Sequence, residues 1–378
     1  MNKFKITVAG IILFFAGLSY TQELNVELTE LFVIGADENA SAEYMFRYPR
    51  QVVTDSRDNI YIADEGLQKI SVFDKNGKFI KYIGRCGQGP GEFQEILSMT
   101  IDSNDNLIIV DRKNMRVTKY FNFGNKYKCY RLNKHIEPWQ ISCLNKNDYI
   151  FYYHEIKSSK PKETDELLHI YSGDFKVKKS FASAGEVYDF NEPFQVAYSE
   201  FDPYACMCVV DSTKVLFTQK YNYGFINLYK LKGNKWVLEK LTGKVLNKAP
   251  FKVLRKYRRS PKNKKEYVNV WNSKYGKFYY KDLCVNMGIF LLNDGKIVHF
   301  FLTKKDKYIF YAEIFNKNGD YIGVGCGSFI NFQSYENKDY VPIDGILWKD
   351  KDDKFYVRAL VNGLPAVRVL QLKYSINK

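Results

Sequence analysis

The segment Val53-Thr54-Asp55-Ser56-Arg57-Asp58-Asn59-Ile60-Tyr61-Ile62-Ala63-Asp64 returns as Thr100-Ile101-Asp102-Ser103-Asn104-Asp105-Asn106-Leu107-Ile108-Ile109-Val110-Asp111, 47 positions further along the chain. The same offset carries Lys69-Ile70 onto Arg116-Val117 and Gly77 onto Gly124. A register kept in this way means one supersecondary unit built twice. A unit of this length cannot bury both of its faces alone and must stack against copies of itself.

Each copy reads as four short strands parted by turn residues. In the first they run from about Arg50 to Asp55, Asn59 to Asp64, Lys69 to Asp74 and Lys78 to Ile83, with Asp58-Asn59 and Asn76-Gly77 at two of the turns. Tyr and Phe number 30 and 28 and sit in short runs beside Val and Ile, so strand composition extends well beyond the repeat. Four antiparallel strands make one propeller blade.

Weaker copies follow at Trp139 to Ala182, Ala205 to Leu241 and Met287 to Gly325; in the last, Asn316-Lys317-Asn318-Gly319 echoes the turn Asp74-Lys75-Asn76-Gly77. The C-terminus supplies only three strands, near Gly345 to Lys349, Lys354 to Val361 and Pro365 to Lys373, while Leu24 to Ile34 is a spare strand at the other end. Joining them closes a ring and removes unpaired edges. The expected fold is all-β: a six-bladed β-propeller of four-stranded antiparallel blades, its ring closed by an N-terminal strand that completes the C-terminal blade.

Lys3 and Lys5 precede an uncharged run from Ile6 to Leu18 and small or polar residues at Gly17, Ser19 and Thr21. This is the pattern of a secretory signal peptide over residues 1–21. Residues 22–378 then form one domain, exported to the periplasm, cell surface or medium, with no transmembrane segment in the mature chain. The seven Cys are an odd number for such a compartment and match no zinc spacing. Cys206 and Cys208 would share one strand face, as small buried residues rather than as a bridge.

The stretch Asp64 to Val72, its parallel Asp111-Arg112-Lys113-Asn114-Met115-Arg116-Val117, and the connector Gly84-Arg85-Cys86-Gly87-Gln88-Gly89-Pro90-Gly91-Glu92-Phe93 resemble the NHL-type six-bladed propellers of exported proteins from Bacteroidetes-like bacteria. The first blade departs from that pattern at Leu67, where the second has Asn114. Propellers of this group resemble sugar-lactone hydrolases and amidating lyases in fold, and those enzymes use channel metals. Fold does not transfer function, and no Glu, Asn and Asp set here maps onto such a site.

Other motifs point away from familiar chemistry. The glycine-rich connector lacks the Lys-Ser or Lys-Thr of a phosphate loop and leads into a strand, so its glycines serve the crossing between blades. Asp55, Asp64, Asp102 and Asp111 recur at strand ends, where Asp holds nearby backbone N–H groups. The four His show no metal spacing, and no G-x-S-x-G elbow is present. No cofactor is expected, with a channel divalent ion such as calcium left open.

Charge is concentrated. From Lys240 to Lys265 the chain holds eleven Lys or Arg and no acid, against a formal net charge of +15 overall. A basic inter-blade insertion at about 242–286 is expected, with Lys252, Arg255, Lys256, Arg258 and Arg259 as an anion-binding patch for an acidic polymer or lipid headgroup. Nucleic acid is not an expected partner, since no recognised nucleic-acid module is present.

The leading expectation is a binding protein that recognises a glycan, peptide or other envelope ligand where inter-blade loops meet the starts of the inner strands. Arg50, Arg85, Gln88, Trp139, Gln140 and Tyr204 are the candidate contacts: cations for carboxylate or sulfate, aromatic rings for apolar faces. The alternatives are a metal-dependent lactonase-like hydrolase or lyase, and a protein-interaction scaffold.

Overall fold

The computed structural model describes residues 22–36, 41–124, 126–133, 136, 138–153, 162–188, 190, 205–219, 225–243, 252–257, 269–273, 276–304, 308–327 and 345–376. The segment assigned to the signal peptide lies outside them.

Strand β1 (Gln22–Gly35) comes first in the chain. Blade one follows as β2 (Pro49–Thr54), β3 (Ile60–Asp64), β4 (Lys69–Phe73) and β5 (Phe79–Ile83). Blade two is β6 (Ile96–Ile101), β7 (Leu107–Asp111), β8 (Arg116–Phe121) and β9 (Lys126–Arg131). Blade three is β10 (Gln140–Cys143), β11 (Asp148–Tyr152), β12 (Glu166–Ser172) and β13 (Val177–Ser183). Blade four is β14 (Cys206–Asp211), β15 (Lys214–Thr218), β16 (Ile226–Lys232) and β17 (Lys235–Leu241).

The basic segment contributes β18 (Lys252–Tyr257) and β19 (Asn269–Ser273), and both pair antiparallel with the first part of β20 (Gly276–Leu291). From Leu283 onward β20 pairs instead with β21 (Ile297–Lys304), so one long strand runs from the basic segment into blade five. That blade continues as β22 (Tyr308–Phe315) and β23 (Tyr321–Gly327). Blade six holds β24 (Ile346–Lys349), β25 (Lys354–Val361) and β26 (Leu364–Ile376). Its fourth strand is β1, antiparallel to β26 from Leu24–Ile376 to Gly35–Ala366. The N-terminal strand therefore closes the ring. Its first residues also touch blade five, with Gln22 and Glu23 parallel to Gly323 and Val324.

The first strands of the blades pack side by side around an axis, β2 on β6, then β10, β14, β20, β24 and back to β2. The six-bladed order follows from that closed circuit. Apolar residues are divided among six clusters, one at each blade–blade interface. On β3, Ile60 and Ile62 face blade six while Tyr61 and Ala63 face blade two. A strand packed on both faces must read as an unbroken apolar run, and Ile60-Tyr61-Ile62-Ala63 does.

The repeated aspartates hold the turns. Asp55 Oδ1 accepts the N–H groups of Arg57 and Asn59, and Asp102 Oδ1 those of Asn104 and Asn106. Asp350 does the same for Asp352 and Lys354 in blade six, a copy of the signature hidden by its divergent neighbours. Asp64, fully buried, collects the N–H groups of Arg47, Tyr48, Gly66 and Leu67 and pins the chain entering the blade. Asp111 repeats this with Gln94, Glu95 and Asn114, and the Asn114 Nδ2 adds a bond that Leu67 cannot make.

The glycine-rich connector folds back on itself. Phe93 N donates to Arg85 O at 2.8 Å and Gly87 N to Phe93 O at 2.9 Å, which plugs the Phe93 ring, fully buried, beneath Gly84. Gly84 has φ +72°, and a Cβ there would lie 2.1 Å from the Phe93 ring. Only glycine suits that crossing.

Candidate functional site

Where the inner strands begin, their first residues surround a cavity of about 120 Å³ at one mouth of the axial channel. Four inner strands carry β-bulges near their starts: at Arg50 in β2, Leu97 in β6, Met287 in β20 and Leu347 in β24. Arg50, Met287 and Leu347 line the cavity, where the extra residue interrupts the ladder, whereas Leu97 is buried away from it. Gly345 also lines it, and a Cβ there would meet the Met287 carbonyl oxygen at 2.1 Å, so glycine lets blades five and six close together.

The polar groups of this mouth are arranged around aromatic rings. The Arg358 guanidinium, on a residue 6% exposed, stands 4.0 Å from the Tyr48 ring centroid. Arg112 stands 5.2 Å from the Trp139 ring and pairs with Glu95 through two hydrogen bonds, Nε to Oε2 at 3.0 Å and Nη2 to Oε1. Arg50 donates to Glu65 Oε2 at 2.6 Å. Such charge-assisted pairs fix the guanidinium planes and hold the rings they cover. Among the described residues that line the mouth there are two arginines, Arg50 and Arg358, and no carboxylate.

Asn286 lines the same mouth and is held from behind. Its Nδ2 donates to Gln219 O at 2.5 Å, and its Oδ1 accepts from His299 Nε2 at 3.0 Å. His299 is fully buried, with Glu313 opposite it on β22, and burial pushes its imidazole down to about 3. It is therefore the neutral Nε2–H tautomer that bonds Asn286.

Of the residues singled out in the sequence, Arg50, Trp139 and Gln140 line this cavity. Arg85 and Gln88 lie in the connector between blades one and two, outside the lining. Arg85 is exposed and bonds Glu92 at 2.8 Å, and the Gln88 carbonyl accepts from Arg116 at 3.1 Å. The Gly89 N–H and then Arg85 hold the Glu92 carboxyl below the usual carboxylate range. Tyr204, Arg258 and Arg259 lie outside the described residues, and Lys252, Arg255 and Lys256 belong to β18. Tyr48, Gln51, Asn286 and Arg358 are among the further residues of the lining. No repeat signature marked Asn286 or Arg358, since blades five and six keep little of it.

Among the described cysteines, Cys86, Cys129 and Cys326 are exposed and Cys143, Cys206 and Cys208 half-buried. Burial pushes Cys143 and Cys208 up to about 12, so both stay protonated. Among the described residues, no three His, Cys, Asp or Glu come together as metal ligands, and no helix is long and apolar enough to cross a membrane.

Six radial sheets around a cavity-bearing axis define a closed six-bladed propeller. Residues 41–279 match the family described as 6-bladed beta-propeller, DUF5128, and the chain belongs to that family. Among solved structures, a DUF4221 member from Bacteroides vulgatus is similar with TM-score 0.55 at 9% identity, over 94% of this chain and 100% of that one. A protein of Bacteroides fragilis whose name marks it as exported is similar with TM-score 0.50 at 13% identity, over 94% and 96%. These likenesses are of fold. No curated protein matches the sequence.

Proposed function

We propose that this chain is an exported, NHL-like propeller that binds an envelope ligand at the mouth of its axial channel. The observation that carries the reading is the mouth itself: Tyr48 and Trp139 bring rings to it, and Arg358 and Arg50, the latter held by Glu65 from outside the lining, bring guanidinium groups. Concave sites with a few convergent polar groups on an apolar wall are where small ligands and chain ends bind. Export rests on the N-terminal pattern of Lys3, Lys5 and the run from Ile6 to Leu18. The basic segment is proposed as a separate surface for anionic polymers or lipid headgroups.

Binding of labelled acidic glycans and peptides to residues 22–378 tests the site. Arg50→Ala and Trp139→Ala are each expected to weaken binding about tenfold or more, as buried Arg and Trp anchors do. Unchanged affinity in both variants removes the mouth as the binding site.

A further inference from the structure

Below the mouth the axial space widens into a second chamber of about 330 Å³. The two share Gln51, Gln140, Met207, Ile289, Phe290 and Leu347 in their walls, so they are successive parts of one channel. Met99, Ile141, Val209, Leu291 and Trp348, from five blades, give the wall of the lower chamber more apolar than polar surface.

Three of its polar members are engaged within the protein, while Gln51, Thr100 and Ser142 also line it. Ser98 Oγ accepts the Ile141 N–H at 3.1 Å, Trp348 Nε1 donates to Thr54 Oγ1 at 3.0 Å, and Lys349 is held by Asp353 at 2.6 Å. Cys143 and Cys208, as neutral thiols, behave as small hydrophobes. Along the apolar part of this wall water finds no partner, whereas a hydrocarbon chain loses none. Between the two parts, Gln140 has a buried Oε1 with no hydrogen-bond partner.

We propose that the channel takes a single-chain amphiphile with an acidic head. Its carboxylate meets Arg50 and Arg358, an N–H or O–H beneath the head donates to Gln140, and its acyl chain fills the lower chamber. An N-acyl amino acid carries these groups in that order. The inference rests on the reading that the mouth is the ligand site, and it names the class of ligand.

The test is calorimetric titration of the mature protein with N-hexanoyl-, N-octanoyl- and N-decanoylglycine below their micelle-forming concentrations. Affinity should rise about fourfold for each added methylene. The decanoyl methyl ester should bind about tenfold more weakly than the acid, and stoichiometry should be one to one. Val209→Phe should cut the gain from the longer chains while leaving the hexanoyl compound little changed. Should that variant fail to fold, the chain-length series on the unaltered protein decides alone. Affinity that does not depend on chain length overturns the amphiphile while leaving the mouth as a site. Failure of the acylglycines to bind, with a glycan or peptide lost on Trp139→Ala instead, does the same. Arg50→Ala and Trp139→Ala variants that bind every ligand as well as the unaltered protein overturn both.

Discussion

Ser56, at the first turn of blade one, donates its N–H and its hydroxyl to the carboxylate of Asp105 at the first turn of blade two, at 2.9 and 2.6 Å. The arrangement recurs. Asp353 of blade six accepts the Asn293 N–H of blade five at 3.1 Å, and Asp58 of blade one pairs with Lys351 of blade six at 3.0 Å. Asp58, Asp105 and Asp353 occupy one turn position and have φ of 64°, 56° and 57°. Asp tolerates that left-handed region better than most residues, and there its carboxylate reaches the preceding blade.

Asp105→Ala removes two interblade bonds and places an ill-suited residue at positive φ. A loss of about 1 to 2 kcal/mol is expected in chemical denaturation. Asp105→Gly relieves the backbone but not the bonds, and Asp105→Asn keeps much of both, so the order of stability should be Asn above Gly above Ala. Equal stability of all three would mean that the grip on Ser56 contributes nothing.

Gly84→Ala drives a methyl group into the Phe93 ring at a left-handed position. The expected cost is about 2 kcal/mol or more, seen as a lower melting temperature. Shrinking the ring in Gly84→Ala/Phe93→Leu should recover part of the loss; no recovery would show that backbone conformation alone is responsible.

His299 sets an acid limit on the fold. Its folded pKa is about 3, far below the value near 6.5 of an unfolded His, so the unfolded chain takes up the proton first. Its contribution is complete above about pH 6.5 and is lost as pH falls from there toward 3, at up to about 1.4 kcal/mol per pH unit. Melting temperature followed between neutral pH and pH 5 should fall less for His299→Gln than for the unaltered protein. Parallel curves would refute the assignment.

Asp102 acts in a lower window. Burial pushes its carboxyl up, but bonds from Asn106, from Lys119 at 2.9 Å and from Tyr149 at 2.8 Å outweigh this and hold it below the usual range. Stability from this group is present above about pH 4 and lost as pH falls through the folded pKa. Lys119→Met strands the buried carboxylate and should cost about 3 kcal/mol near neutral pH, with the deficit shrinking below pH 4. A deficit that persists unchanged in acid would point to packing instead.

The blade unit was legible because its turn chemistry is local: Asp55 and Asn59, or Asp102 and Asn106, meet within one hairpin and leave their spacing in the sequence. The fourth strand of blade six was legible as an arithmetic remainder, three strands at one end and a spare strand at the other. The mouth was legible only in part. Arg50, Trp139 and Gln140 lie beside readable blade starts, whereas Arg358 and Asn286 are brought in by strands whose signature has faded. Asn286 and His299 meet across one hairpin but in no repeated turn motif, and the stacking of Arg358 on Tyr48 joins segments far apart in sequence, so nothing local marks either. Arg85 shows the converse: its bond to Glu92, seven residues away, ties it to its own connector.

The pairing of β1 with β26 joins segments separated by nearly the whole polypeptide, and contacts of that span form slowly. Until the last strand has emerged, the first has only the short contact of Gln22 and Glu23 with blade five, and blade six has a bare flank. Interrupting the chain anywhere in between leaves an incomplete arc with two sticky rims rather than a smaller ring. Assembly of this molecule is thus a clasp that only the finished polypeptide can fasten.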